Sequence, residues 1–164
     1  IGLPEKCIKA GIYNFKGVQR RFSHLFDYNN ISFYDDYAHH PTEISSVLSG
    51  VEKVYKNKEI VCVFQPHRIS RVISLKKEFS KCFKKADTVL LCPIYAANEK
   101  LRLNFTYHSF AKLIIKNSNV RLIQVENELQ LQKFIKQNVF GEKIYIGMGA
   151  GSISNWMKNL KNIF

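Results

Sequence analysis

No apolar run in these 164 residues approaches the roughly 18 consecutive positions that a membrane-spanning helix needs. A charged-then-apolar opening of the signal-peptide kind is also missing, so the expected compartment is the cytoplasm. Cysteine is scarce: Cys7, Cys62, Cys82 and Cys92 show no CxxC spacing, and three of them sit among apolar neighbours, where a thiol behaves as a small hydrophobe. No protein-held metal is expected on that ground. GxxxxGK[ST] does not occur, which removes a triphosphate cradle made by this chain alone. GxSxG and a Cys-His arrangement suited to nucleophilic catalysis are absent as well. Acidic residues are in the minority, 13 against 25 Lys and Arg, for a net charge of +12. That balance suits an anionic partner, whether nucleic acid, nucleotide or phosphosugar, without choosing among them. A basic nucleic-acid-binding module is therefore the rival class, but it is disfavoured because no aromatic residues interleave with the basic ones in a recognisable RNA-binding motif.

What the chain does have is alternation. Short β-branched runs at 31–34, 60–64, 88–92, 120–125 and 143–148 read as strands. Each precedes an amphipathic stretch, at 41–56, 70–85, 105–117, 127–138 and 152–163, that reads as a helix. Five such repeats predict an α/β fold, Rossmann-like, with a mostly parallel sheet covered by helices on both faces. Ahead of them, 4–14 reads as a short helix, and FSHLF and ISFY flank a polar turn at 27–30 that could join two strands as a hairpin. The 46% hydrophobic content is ordinary for a domain of this length. The start at Ile1, with a helix already under way, is what a piece of a longer protein would show.

In open parallel sheets, ligands bind beyond the carboxyl ends of the strands. Four polar or glycine-rich loops fall there: DDYAHHPTE at 35–43, QPHRISR at 65–71, PIYAANE at 93–99 and GMGAGS at 147–152. In the first, Pro41 fits the opening of a helix and Glu43 its first turn. Asp35, Asp36, His39 and His40 could cap that turn, bind a metal, or contact the ribose or phosphate of a nucleotide. In the second, Arg68 and Arg71 lie about one turn apart and could converge on a carboxylate or phosphate at a helix N-terminus, with His67 beside them and Ser70 as the cap. GVQRRF, 17–22, reads as a strand on which Arg20 and Arg21 face opposite ways, so that only one meets a ligand. The glycine turn could bind phosphate or simply let strand and helix pack closely, and the second is favoured because Ser152 stands where a dinucleotide fingerprint needs glycine.

GVQRRF, DDYAHHPTE, FQPHR-x-SR, PIYAANE and GMGAGSIS, in this order, resemble the C-terminal domain of the Mur ligases, over essentially the whole chain from residue 16. The combination of DDYAHHPTE with QPHR-x-SR favours the members that join L-alanine to UDP-N-acetylmuramate over those that recycle murein tripeptide. The resemblance implies an ATP-dependent carboxylate-amine ligase of peptidoglycan precursor synthesis, and so a part in cell-wall formation, cell shape and division. It also implies a reaction through an acyl phosphate, with Mg2+ and the triphosphate held mainly by a separate central domain. It implies that 1–15 are the tail of that central domain and the hinge, that 16–164 are the C-terminal domain, and that the domain alone is inactive. It further implies that Arg21 and Asp36 are catalytic groups facing ATP, with His39 beside them, and that His67, Arg68 and Arg71 bind the amino-acid or product carboxylate. Asp35 and His40 are expected to give local support, and Asp36→Asn is expected to cost turnover while leaving folding intact. Two positions depart from the family pattern. Asn98 stands where glycine is usual and tolerates the same left-handed turn, and Ser23 replaces an acidic residue, which leaves Arg21 less well anchored.

Overall fold

A computed structural model describes residues 2–15, 17–100 and 106–164. Lys16 and Phe105, the expected first residues of the C-terminal domain and of the helix at 105–117, lie outside the described residues. In chain order the elements are α1 (Glu5–Tyr13), β1 (Ser23–Tyr28), β2 (Ile31–Asp36), α2 (Pro41–Val54), β3 (Glu59–Phe64), α3 (Ile69–Ser74), α4 (Lys76–Phe79), β4 (Thr88–Leu91), α5 (Tyr107–Ser118), β5 (Arg121–Gln124), α6 (Glu128–Gln137), β6 (Lys143–Met148) and α7 (Ile153–Asn159), ending in a 3-10 turn at Leu160–Ile163. Among the described residues no helix is long and apolar enough to cross a membrane.

The six strands lie in the order β1-β2-β6-β3-β4-β5. β1 pairs antiparallel with β2 and every other pairing is parallel. From β2 the chain steps in one direction through β3 and β4 to β5, then returns to lay β6 between β2 and β3. Parallel crossovers are right-handed, so a reversal of direction moves the connecting helices to the other face. The side chains agree. Ile44, Leu48 and Val51 of α2, Val72, Phe79, and Phe110 and Ile114 of α5 pack with Ile60, Cys62, Phe64, Ile144 and Ile146 on one face. On the other, Leu131 and Ile135 of α6 and Ile153 and Met157 of α7 meet Val61, Val63, Tyr145 and Phe33. Alternate residues of β3 and β6 thus enter opposite cores, the period-two rule of a strand covered on both sides. Each fully buried aliphatic or aromatic chain contributes about 1.5–3 kcal/mol, so both faces are needed.

Three expectations are corrected. The helix expected at 70–85 breaks at Leu75, whose φ of −109° and ψ of 26° leave the helical region. The break lets Val72, Phe79, Cys82 and Phe83 all reach the same core. Ser118 of α5 then clips the following turn, donating to the Ser80 carbonyl while accepting from the Phe83 amide. The hairpin turn is shorter than expected: β1 runs to Tyr28, leaving Asn29 and Asn30, with Asn29 at φ 52° in the left-handed region that asparagine tolerates. Finally, 17–22 is not a strand. Arg20 and Phe22 both have positive φ, 58° and 46°, and β1 begins only at Ser23.

Candidate functional site

The reversal of strand order puts β2, β6 and β3 side by side, and their register brings Asp36, Met148 and Phe64 level at the carboxyl end. A switch point of this kind is where an open α/β sheet leaves a crevice. The loops after these strands therefore converge for a topological reason. Further backbone bonds tie them together: the Gln65 amide donates to the Met148 carbonyl at 2.9 Å and the Gly149 amide to the Asp36 carbonyl at 3.3 Å.

Asp36 organises the first part of the rim. Its side chain is 3% exposed, and its two carboxylate oxygens accept from the Phe22 and Ala38 amides at 2.7 Å each. The Tyr37 amide donates to the Arg20 carbonyl at 2.8 Å, and the Phe22 ring stacks on Tyr34 at 4.3 Å. These contacts hold a turn whose two left-handed, non-glycine residues each cost about 1–3 kcal/mol. Arg21, between them, is exposed. Arg20 goes inward instead: it donates to the Gly149 carbonyl at 2.5 Å, lies 4.7 Å from the centre of the Tyr37 ring, and places its Nε 3.5 Å from Asp35 Oδ2.

His40 N-caps α2 and forms a capping box with Glu43, and Pro41 takes the first helical position. Burial would raise the Glu43 carboxyl, but hydrogen bonds from the His39 and His40 amides outweigh it and hold the group below its ordinary value. His39 Nδ1 lies 2.9 Å from the Tyr37 carbonyl. A carbonyl only accepts, so Nδ1 carries the proton and, in the neutral ring, Nε2 is free to accept. The His39 ring meets His67 edge-to-face at 5.8 Å.

His67, Arg71 and Tyr95 make the second part. Tyr95 stacks on His67 at 5.6 Å with planes 9° apart, and Arg71 Nη1 lies 3.4 Å from His67 Nδ1. Because arginine only donates, Nδ1 is the acceptor and Nε2 carries the proton. Partial burial first, then the charges of Arg71, His39 and Arg68, hold the imidazole below its ordinary value of 6.5. Arg68 is exposed, with φ of 66°. Its amide donates to the Tyr95 carbonyl, so the loop after β4 is pinned beside the loop after β3.

Ser70 is not the helix cap. α3 starts one residue earlier than expected, with Arg68 at the N-cap position and no side-chain cap bond. The amide and hydroxyl of Ser70 both donate to Glu99, at 2.8 and 2.7 Å, and these bonds, the amide's first, hold the Glu99 carboxyl below its ordinary value. The chain thus supplies its own carboxylate at that helix end. Arg68 and Arg71 lie nearby, but the expected anion position on the α3 amides is filled by Glu99. Asn98 has φ 68°, the left-handed conformation expected of it.

The glycine turn packs closely. A Cβ on Gly149, at φ 150°, would lie 2.6 Å from the Gln65 carbonyl oxygen, and one on Gly151 would lie 2.5 Å from Gln65 Oε1. Gln65 Oε1 accepts from the Ile153 amide at 3.0 Å and its Nε2 donates to Ser152 Oγ. Gln65 therefore occupies the start of α7, in keeping with a packing role for the turn. Among the described residues no group of three His, Cys, Asp or Glu is placed to hold a metal ion.

The structure brings together His39, His67 and Arg71, sets Asp36 beneath the Arg21 turn, and leaves Arg21 and Arg68 exposed. Sequence reasoning weighed Arg20 only as the partner of Arg21 on a strand, and overlooked Tyr37, Gln65, Tyr95 and Glu99. Two signals pointed to some of them: two adjacent arginines matched by two adjacent aspartates, and a lone glutamate closing the PIYAANE loop.

A family model described as "Mur ligase, glutamate ligase domain" matches residues 20–146. The UDP-N-acetylmuramate–L-alanine ligase of Pelagibacter ubique (strain HTCC1062) is 60% identical over 163 residues, which are 99% of this chain and 35% of that protein. The crystal structure of the UDP-N-acetylmuramate–alanine ligase from Thermotoga maritima superposes with a TM-score of 0.68 at 27% identity, covering 98% of this chain and 33% of that one. A murein peptide ligase from Psychrobacter arcticus 273-4 superposes at 0.72 with 20% identity, covering 99% of this chain and 33% of that one, and shares the fold. The chain spans about a third of the length of the curated relatives it matches.

Proposed function

The chain belongs to the Mur ligase family, and from that premise we propose that it is the C-terminal domain of an ATP-dependent ligase joining L-alanine to UDP-N-acetylmuramate. Residues 1–15 are read as the tail of a central ATPase domain and hinge. In support, α1 buries none of its residues, and Ile8 and Ile12 are exposed. Residues 16–164 are the domain that closes over the reaction. The carboxylate of the sugar substrate takes the γ-phosphoryl group of ATP, releasing ADP. The amine of alanine then attacks the acyl phosphate, forming the amide, expelling phosphate and losing a proton. Magnesium and the triphosphate cradle belong to the central domain.

This domain contributes position and charge. Phosphoryl transfer rests mainly on both, and closure keeps water from the acyl phosphate. Arg21 is the exposed guanidinium aimed at the nucleotide. The role proposed for Asp36 becomes that of a positioning residue, because its two oxygens are engaged by the amides that shape the Arg21 turn. His39 offers Nε2 at the same edge. His67, Arg68 and Arg71 receive the carboxylate of alanine. With His67 holding Arg71, the positive charge there comes from the arginines and does not depend on protonating the imidazole.

The observation that carries this reading is the convergence of the Arg21 turn and the His39-His67-Arg71 cluster at one switch point. The test is Arg71→Ala in the full-length ligase. The KM for alanine should rise at least about tenfold with the KM for ATP little changed, the loss of one charge-assisted contact being about 1.5–3 kcal/mol. An unchanged alanine KM rejects the assignment. Murein tripeptide ligation is the second reading, because the DDYAHHPT segment at 35–42 resembles both kinds of ligase. Comparing turnover on L-alanine and on murein tripeptide separates the two.

A further inference from the structure

We propose that Arg20 is a positioning residue for Arg21, anchored by Asp35 and Ser154. The proposal rests on the reading of Arg21 as the nucleotide-facing arginine. Arg20 is the point at which three chain segments meet. Its Nη2 donates to the carbonyl of Gly149, at the end of β6. Its Nε lies 3.5 Å from Asp35, at the end of β2. Its carbonyl accepts from the Tyr37 amide, and its guanidinium lies over the Tyr37 ring. Asp35 is in turn held from α7 by Ser154, whose hydroxyl donates to Oδ2 at 2.5 Å. Without this anchorage the left-handed pair at Arg20 and Phe22 keeps the Asp36 bond and the Phe22–Tyr34 stack, neither of which reaches β6.

The cost of the arrangement argues for a specific use. The Asp35 side chain is 1% exposed and the Arg20 side chain 23% exposed, yet Arg20 Nε and Asp35 Oδ1 have no hydrogen-bond partner. A buried ion pair with open valences contributes little stability, and an apolar pair of the same volume would serve packing as well or better. A guanidinium fork adds direction: it fixes the rotation of the turn relative to β2 and β6 together. Arg21 is the next residue, so the rotation of the turn sets where its side chain points. Displacement of a charge by about 1 Å can cost about a hundredfold in rate, which makes the anchorage kinetically visible.

The experiment is a double-mutant cycle in the full-length ligase, measuring kcat and the KM values for ATP and for alanine in wild type, Arg20→Ala, Arg21→Ala and the double variant, with thermal melts of each. Arg20→Ala and Arg21→Ala should each lower kcat/KM for ATP by about tenfold or more, with the alanine KM unchanged. The double variant should fall within about twofold of Arg21→Ala alone, because a residue acting only through Arg21 has nothing left to position. Losses that multiply in the double variant overturn the proposal while leaving Arg21 as a nucleotide contact. Wild-type kinetics for Arg21→Ala overturn the nucleotide reading of that residue and this proposal with it. Should Arg20→Ala melt below the assay temperature, Arg20→Lys and Ser154→Ala replace it in the same cycle. Arg20→Lys keeps the charge but replaces the planar guanidinium fork with a single nitrogen, and Ser154→Ala loosens Asp35 alone. Each should give a smaller loss that vanishes when Arg21 is alanine, and a loss that persists there overturns the proposal.

Discussion

Asp36→Asn changes one atom, and the structure makes its cost calculable. In the native side chain one carboxylate oxygen accepts from the Phe22 amide and the other from the Ala38 amide, both at 2.7 Å, with 3% of the residue exposed. Asparagine keeps one acceptor and turns its NH2 group toward the other amide, so two donors face each other. The variant loses one charge-assisted bond and leaves a buried N–H unpaired, together about 2–4 kcal/mol. For a chain of this size each kcal/mol lowers the melting temperature by about 2–4 °C, so a drop of about 5–15 °C is expected. The isolated chain suffices for the assay: thermal unfolding followed by circular dichroism at pH 7, with amide exchange at Phe22 and Ala38. One of the two amides should exchange much faster, and the turn carrying Arg21 should loosen. A melting temperature within about 2 °C of wild type, with both amides still protected, would refute the view that this carboxylate shapes the turn. The outcome also separates the structure from the sequence-based expectation, in which the same change costs turnover and leaves folding intact.

The glycines give a paired test. Gly149→Ala puts a Cβ 2.6 Å from a backbone oxygen at φ 150° and should cost about 2–5 kcal/mol. Gly50→Ala, inside α2 with nothing within 4 Å of the added carbon, should stabilise by about 0.5–1 kcal/mol. Urea midpoints that move the same way for both would contradict the packing described. His67 should titrate by NMR below its ordinary 6.5, and should move up when Arg71 is replaced by glutamine. Since its folded value is depressed, the stability linked to it is fully present above the unfolded value and is lost as pH falls through the folded one. A midpoint at or above 6.5 would remove burial and Arg71 as the controlling influences.

Much of this was legible along the chain because it depends on local periodicity. The run at 143–148 is β6 with the same bounds, and the strands expected at 31–34, 60–64, 88–92 and 120–125 end within two residues of β2, β3, β4 and β5. Pro41 and Glu43 read as a helix start because a missing N–H and an acid suit the first turn wherever the helix packs. Asn98 was expected to take a left-handed turn because the resembled family has glycine there, and it does so at φ 68°. Ser70 did not read correctly as a cap, since its partner Glu99 is 29 residues away. Leu75 carried no breaking signal, because the break serves the common core reached by Val72 and Phe83.

The order of the residues by itself determined an α/β chain of alternating elements, the start of α2 at Pro41 and Glu43, and a set of polar loops assigned to one end of the sheet. Periodicity and capping are short-range properties, and sequence carries them directly. Tertiary structure decided that β6 returns between β2 and β3, which turns four separate loops into one rim. It decided as well that Arg20 goes in while Arg21 goes out. A strand would have sorted the two arginines by alternation. Asp36, 14 positions from Phe22, and the contacts of Arg20 with Asp35 and Gly149 hold a left-handed turn there instead, and no local preference could predict a conformation sustained by distant parts of the chain.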